Sequence, residues 1–209
     1  MASSEPAEIP ERIVEEATRL FVANGYNGIS MREIAEAVGI SKAGLYYHFR
    51  DKEDLFIAIL TANLERIQDI IEAARQAEQT TRGQVSYMMR AIFDQAPNQR
   101  AIIRLASQEM GHLSQAARAK FGRLYQASFV GQVEAMLRDG IQRGELRAMD
   151  ARTATWILLG MAYPFIYPTR ERARPGLRAG EPDAAGEAVE LLIAIFFDGV
   201  AGGGQRNRD

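Results

Sequence analysis

An all-α fold is what this sequence predicts, and three observations carry that expectation. Nearly every apolar pattern recurs with a spacing of three to four residues, and no stretch alternates apolar and polar like a half-buried strand. The breaks between patterns also carry helix-capping residues. With 209 residues, 47% of them hydrophobic and 25% charged, the chain can bury a real core as one large or two small domains. Cysteine is absent, which removes disulfides, zinc–thiolate sites and thiol nucleophiles and suits a reducing, cytoplasmic setting. The longest apolar runs, Trp156–Tyr167 and Ala188–Phe197, fall short of the ~18–20 residues that span a bilayer. The opening MASSEPAEIPER is polar and acidic, unlike a secretory signal.

Taken in order, Ile9, Ile13, Ala17, Leu20 and Phe21 mark one face of a first helix that stops at Asn24-Gly25. Ser30 caps a second helix, and Glu33 three residues later completes a capping box. Met31, Ile34, Ala35 and Val38 form its inner stripe, and Gly39 suits the left-handed position just past its end. Ser41 caps a very short third helix with Leu45 and Phe49 inward. Asp51 caps a long fourth, with Leu55, Ile59, Asn63, Ile67, Ile70 and Ala74 at helical spacing. Val85, Met88, Met89, Ile92 and Phe93 mark the fifth, and Pro97 opens the sixth. Phe121, Leu124/Tyr125, Phe129, Val133 and Met136/Leu137 predict one long seventh helix, stopped near Gly140–Gly144. The last two of about nine helices, at about 151–166 and 183–200, are apolar almost all round, so each is expected to be buried on several sides, in a homodimer interface. Between them lies an Arg/Pro/Gly loop with Arg170, Arg172, Arg174 and Arg178, read as solvated, an anionic ligand such as an acyl-CoA being the alternative. Residues 1–7 and 202–209 are expected to be disordered.

The segment GISKAGLYYHF, Gly39 to Phe49, concentrates chemistry. Two helices joined through Gly39-Ile40-Ser41, with the small Ala35 where they cross, form a helix-turn-helix. With Leu45 and Phe49 inward, helical spacing leaves Lys42, Ala43, Tyr46 and Tyr47 outside and His48 near the edge. Exposed tyrosines pack well on a sugar–phosphate backbone or a thymine methyl, and their hydroxyls donate to phosphate oxygens. Arg32, Lys42, Arg50 and Lys52 cluster around this surface, although the net charge of the chain is −2. A patch so thin predicts modest nonspecific DNA affinity, supplemented by dimerisation.

At these residues the sequence resembles the TetR family of transcriptional regulators. Phe21, Gly25-Tyr26, Ser30, Ile34-Ala35, Gly39, LYYHF (Leu45–Phe49), Lys52 and Leu55 stand in the order and spacing of that family's N-terminal signature, over roughly residues 9–60. Beyond residue 60 only helix number, chain length and the turn GELRAMD (Gly144–Asp150) look similar. The resemblance implies a helix-turn-helix domain over 1–52 and an effector-binding, dimerisation domain over 53–201. It also implies a palindromic double-stranded DNA operator, released when a small molecule binds. By the resemblance and the reading above, the DNA-contact candidates are Arg32, Ser41, Lys42, Ala43, Tyr46, Tyr47, His48 and Lys52. Four of these have a structural alternative: Tyr46 and Tyr47 can be a core aromatic pair, Arg32 can pair with Glu36, and His48 can serve the helix C-terminus. Gly44 departs from family members with Thr or Ser there, so no operator sequence carries over.

Candidates for a ligand pocket are Met88, Met89, Phe93, Glu109, His112, Phe121, Tyr125, Phe129 and Trp156, soft or aromatic side chains plus one polar pair. Ordinary core is the alternative for the apolar ones, and a satisfied surface pair that for Glu109 and His112. Glu109 and His112 have the Glu-x-x-His spacing of di-iron bundles, but the only other histidine is His48, so no metal and no cofactor is expected. No Gly-x-Ser-x-Gly elbow, P-loop or dinucleotide fingerprint is present, so the chain is not expected to be an enzyme. An α-helical enzyme acting on a small apolar ligand, and a helix-turn-helix protein without an effector, are the competing readings.

Overall fold

The computed structural model describes residues 9–166 and 182–200. The expected disorder at 1–7 and 202–209 and the loop with Arg170, Arg172, Arg174 and Arg178 lie outside the described residues. Among the described residues there are ten α-helices and no strand: α1 (Ile9–Asn24), α2 (Met31–Val38), α3 (Lys42–His48), α4 (Lys52–Ala77), α5 (Thr81–Phe93), α6 (Pro97–Glu109), α7 (Gln115–Tyr125), α8 (Gly131–Gln142), α9 (Ala151–Ile166) and α10 (Pro182–Val200). The single long seventh helix expected from sequence is instead α7 and α8 joined through a π-helical turn, Gln126–Val130. The π turn inserts one residue, and within it Ser128 and Val130 are buried while Phe129 of the predicted stripe is only part-buried.

By contacts the chain forms two compact units, Met1–Glu65 with Ala96–Leu124, and Arg66–Gln95 with Tyr125–Asp209. These limits differ from the division expected at residue 52: the first unit runs on along α4 to Glu65 and takes in α6, which packs on α1.

In the first unit, Ile13, Ala17 and Phe21 of α1, the predicted stripe of α2, and Leu45 with Phe49 around α3 are buried. Ile9 stays half-exposed, being the first residue of α1. Phe56, on no predicted stripe, is fully buried and meets Phe21 edge-on at 5.4 Å and Tyr26 at 5.1 Å. Farther along α4, Ile71 rather than Ile70 is in the core. The start of α7 is tied back to α4: Ser114 donates from its N–H (2.6 Å) and its hydroxyl (2.8 Å) to the Glu53 carboxylate.

In the second unit α5 packs on α10 and α8, and α9 on α8 and α10. Thr81 opens α5 at a tight crossing. Its N–H donates to Glu145 (2.6 Å), its hydroxyl accepts from Arg143 (3.0 Å), and a Cβ at Gly140 would lie 2.2 Å from its Oγ1. Gly144, at φ 74°, ends α8 in the left-handed conformation, and Asp150 caps α9 by accepting from the Thr153 N–H at 2.8 Å.

Candidate nucleic-acid interface

The site begins with how α2 and α3 are held. The Ser30 hydroxyl accepts from the Glu33 N–H (3.3 Å), and the Glu33 carboxylate accepts from the Ser30 N–H (2.8 Å), closing the capping box. The Ser30 hydroxyl, which also donates to the Glu33 carboxylate at 2.6 Å, and then the Ser30 N–H hold the Glu33 carboxyl below its usual pKa, so it stays anionic and keeps the cap. At the other end Gly39 takes φ 77°, and the Ile40 N–H donates to the Ala35 carbonyl at 3.0 Å, which fixes the turn into α3. Ser41 then caps α3 by accepting from the Gly44 N–H at 3.0 Å. With Leu45 buried, Lys42, Ala43, Tyr46 and Tyr47 of this short helix are left facing outward.

Its outward face is that expected from the spacing. Tyr47 is 85% exposed and Tyr46 42%, while Lys42 and Ala43 are also exposed. The Lys42 ammonium lies 5.7 Å from the Tyr46 ring centroid, close enough for cation–π attraction to order both on the surface. His48 is half-buried and meets Tyr47 edge-on at 5.1 Å.

Arg32, Lys42, Tyr46 and Lys52 come together on the wall of one cleft of about 450 Å³. Its remaining wall is the approach to α2, Asn27–Ile29, and the first residues of that helix. Sequence reasoning left out Asn27, Gly28 and Ile29, although the Ser30 cap was the signal for them. A helix N-terminus aims backbone N–H groups and a partial positive charge at whatever precedes it. Three cations wall this concave surface against one carboxylate, Glu33, which is engaged in the Ser30 cap, and that balance suits an anion such as a backbone phosphate.

Two of these cations also have internal partners. Arg32 is largely exposed and reaches Glu36 at 3.5 Å, the i,i+4 pair that sequence offered as its alternative. Lys52 is partly buried, with its ammonium 4.7 Å from the Tyr26 ring centroid and 5.9 Å from that of Phe21. Burial lowers its pKa, opposed by Glu109 and Glu33. Arg50 is exposed and pairs with Asp54 at 3.2 Å.

The pocket candidates divide between the two units. Glu109, His112 and Phe121 belong to the first. Glu109 ends α6, and His112 lies in the following 3-10 turn, where the two are 3.5 Å apart and partly solvated. The His112 ring stacks on Tyr26 at 6.4 Å and takes a hydrogen bond from the Asn27 amide at 3.2 Å, so this pair supports the α1–α2 turn. In the second unit Met88, Met89 and Phe93 are fully buried on α5. Tyr125 and Phe129 flank the π turn with rings 5.6 Å apart, and burial raises the pKa of the Tyr125 phenol, with Tyr163 adding to the shift. Trp156 is 48% exposed on α9. Among the described residues no group of three or more His, Cys, Asp or Glu side chains could hold a metal ion, and no helix is long and apolar enough to cross a membrane.

Comparison with known proteins places the same segments. Residues 13–59 match the model for bacterial regulatory proteins of the tetR family, and residues 78–164 match that for a tetracyclin repressor-like C-terminal domain. The two together span well over half of the chain. The HTH-type transcriptional repressor AcnR of Corynebacterium glutamicum is 34% identical over 70 residues, which is 34% of this chain and 37% of that protein. Matches to the first curated relatives thus span 32–43% of those proteins' own length. Among solved structures, the TetR family transcriptional regulator PfmR of Thermus thermophilus superposes with a TM-score of 0.71 at 28% identity, covering 88% of this chain and 97% of that one. AibR, solved in complex with isovaleryl coenzyme A and operator DNA, has the same fold, with a TM-score of 0.70 at 23% identity over 91% of this chain and 98% of that one.

Proposed function

The chain belongs to the TetR family of bacterial regulatory proteins, and from that premise we propose that it is a homodimeric, sequence-specific DNA-binding regulator. It acts as a repressor that leaves a palindromic operator when a small apolar or amphipathic effector binds. The observation that carries this reading is the outer face of α3: two exposed tyrosines and a lysine on a doubly secured helix, beside a cleft walled by Arg32 and Lys52. α3 enters the major groove, Lys42 and Tyr46 contact base edges, and Ser41, Ala43, Tyr47 and His48 lie along the adjacent backbone. Arg32 and Lys52 neutralise phosphates.

The dimer forms through α9 and α10, which expose Trp156, Ile157, Tyr163, Leu191 and Ile195. Two recognition helices then meet two half-sites, so the effector need only change their spacing. It does so by binding the DNA-free arrangement more tightly, since a ligand with equal affinity for both arrangements shifts nothing. AibR, whose structure contains both a coenzyme A thioester and operator DNA, supports this pairing of ligands. The protein works in the cytoplasm and carries out no catalysis.

Selection of purified protein against random duplex DNA tests the proposal. The expected result is an enriched inverted repeat that disappears in a Tyr46→Ala, Lys52→Ala double variant. Absence of enrichment by folded dimer, stripped of small molecules and at low salt, would contradict it.

A further inference from the structure

The cations near α3 differ in what holds them. Arg32 and Arg50 reach carboxylates, Glu36 at 3.5 Å and Asp54 at 3.2 Å, and such pairing offsets part of the charge a phosphate would meet. Lys52 is held by rings instead, its ammonium 4.7 Å from the Tyr26 centroid and 5.9 Å from that of Phe21. A ring face attracts a cation through its quadrupole and carries no net charge, so it orients the ammonium without neutralising it. That matters at Lys52, which opens α4, where the helix dipole gives a cation no support. Burial lowers the Lys52 pKa, while Glu109 and Glu33 oppose that loss of charge. Lys52 is on the wall of the cleft beside α3 and Tyr26 is not, so the ring acts from behind. Three further rings fix Tyr26 itself: Phe21 nearly parallel at 5.9 Å, Phe56 edge-on at 5.1 Å, and His112 nearly parallel at 6.4 Å. Burial raises the pKa of its phenol, with Glu53 and Asp51 adding to the shift, so the ring stays neutral. All these residues belong to the first compact unit.

We propose that Tyr26 is the positioning residue for the phosphate contact of Lys52, its ring face holding the ammonium toward the cleft before DNA arrives. This rests on the DNA-binding reading above and deepens it by adding a residue that sets the reach of another. A lysine on its flexible four-carbon stem loses rotamer freedom when it meets a phosphate, and holding it beforehand removes part of that loss. The ring face does this and the hydroxyl does not, so phenylalanine can replace Tyr26 and an aliphatic side chain of similar bulk cannot. His112, which stacks on Tyr26 and accepts from the Asn27 amide at 3.2 Å, backs the ring from the turn after α6.

The test is a double-variant cycle on the full chain, read as affinity for a mixed-sequence duplex over a series of salt concentrations, since a phosphate contact needs no operator. Lys52→Ala should lower the salt slope by about one. Tyr26→Leu should weaken binding about 2–30-fold, and Tyr26→Phe should restore the parental affinity. Once Lys52 is alanine, Tyr26→Leu should have no further effect. A ring that only supported the fold would weaken binding by the same factor in both backgrounds, and that result would overturn the proposal. So would a Tyr26→Leu variant that binds like the parent, or a Tyr26→Phe variant that binds no better than it. Proton NMR of the parent needs no variant. The chain has three lysines, and ring current from Tyr26 should move the Lys52 ε-methylene upfield of that of Lys120. Coincident resonances would overturn the proposal even where Tyr26→Leu fails to fold. A parental salt slope in Lys52→Ala would remove the phosphate role of Lys52, and the proposal with it. A lowered slope there, with Tyr26 acting only as scaffold, leaves the DNA-binding reading standing and removes the positioning role alone.

Discussion

Two surfaces of this molecule expose large hydrophobic side chains, and they differ in what surrounds them. On α3, Tyr46 and Tyr47 stand beside Lys42, with Arg32 and Lys52 across the cleft. On α9 and α10, Trp156, Ile157, Tyr163, Leu191 and Ile195 are exposed, and two acids of α10 are drawn back onto α5. There Arg90 holds Glu190 at 2.6 Å and Arg82 holds Asp198 at 3.3 Å. The first surface has polar tips and loosely committed cations, which suit a wet, anionic partner. The second has aliphatic and aromatic bodies, with Glu190 and Asp198 paired to arginines of α5, which suits an apolar partner of the same kind. Exposure alone would have given both the same meaning, and the neighbouring charges separate them.

That contrast can be broken by exchanging the chemistry. Leu191→Glu places a charge where the dimer seam should close, at a cost of several kcal/mol. Sedimentation should show a monomer, and affinity for an enriched duplex should fall at least ~100-fold as two-site binding is lost. A variant that remains dimeric would remove α10 from the seam. On the other surface, Lys42→Ala should cost about 1–3 kcal/mol on the preferred duplex and relax base preference at one position per half-site. Lys52→Ala should weaken all duplexes alike and lower the salt slope by about one. Equal loss across sequences for Lys42→Ala would move that residue from bases to backbone.

Two smaller effects sharpen the comparison, because they should alter the scaffold and spare both surfaces. Gly140→Ala gains helix propensity but drives a methyl into the fully buried Thr81, so a net loss of about 1–3 kcal/mol in urea melts is expected. Glu145 supplies a pH signature at the same crossing. Burial raises its pKa, but hydrogen bonds from Arg143 and Thr81 outweigh that and hold it below the ordinary 4.5. Its contribution is therefore complete above pH 4.5 and disappears as the pH falls through the lower folded-state value. Glu145→Gln should flatten that acid limb of the stability profile, and an unchanged limb would exclude Glu145 as its source.

The parts of the fold legible in the sequence were those encoded locally. Ser30 with Glu33, Gly39 and Ser41 each mark a helix end within four residues, so the geometry that presents α3 could be read directly. What escaped depends on distant partners. The stack of Tyr26 on His112 joins residues far apart in sequence, and Lys52 lies against Tyr26 as well as facing the cleft. The π turn between α7 and α8 was hidden because the four-residue spacing of Phe121, Tyr125 and Phe129 is also that of a straight helix. Asn63 was visible on the inner stripe of α4, but only the structure shows that its oxygen has no partner among the described residues. Pocket and core remained indistinguishable for Met88 and Met89, since both want the same side chains.

The most direct test of two surfaces with two partners is sedimentation velocity of the parent, Leu191→Glu, and a Lys42→Ala, Tyr46→Ala variant, each with and without the selected duplex. The account predicts that the parent is a dimer that co-sediments with DNA, that the α10 variant is a monomer, and that the α3 variant is a dimer sedimenting apart from DNA. An α10 variant that stays dimeric, or an α3 variant that co-sediments like the parent, would contradict it.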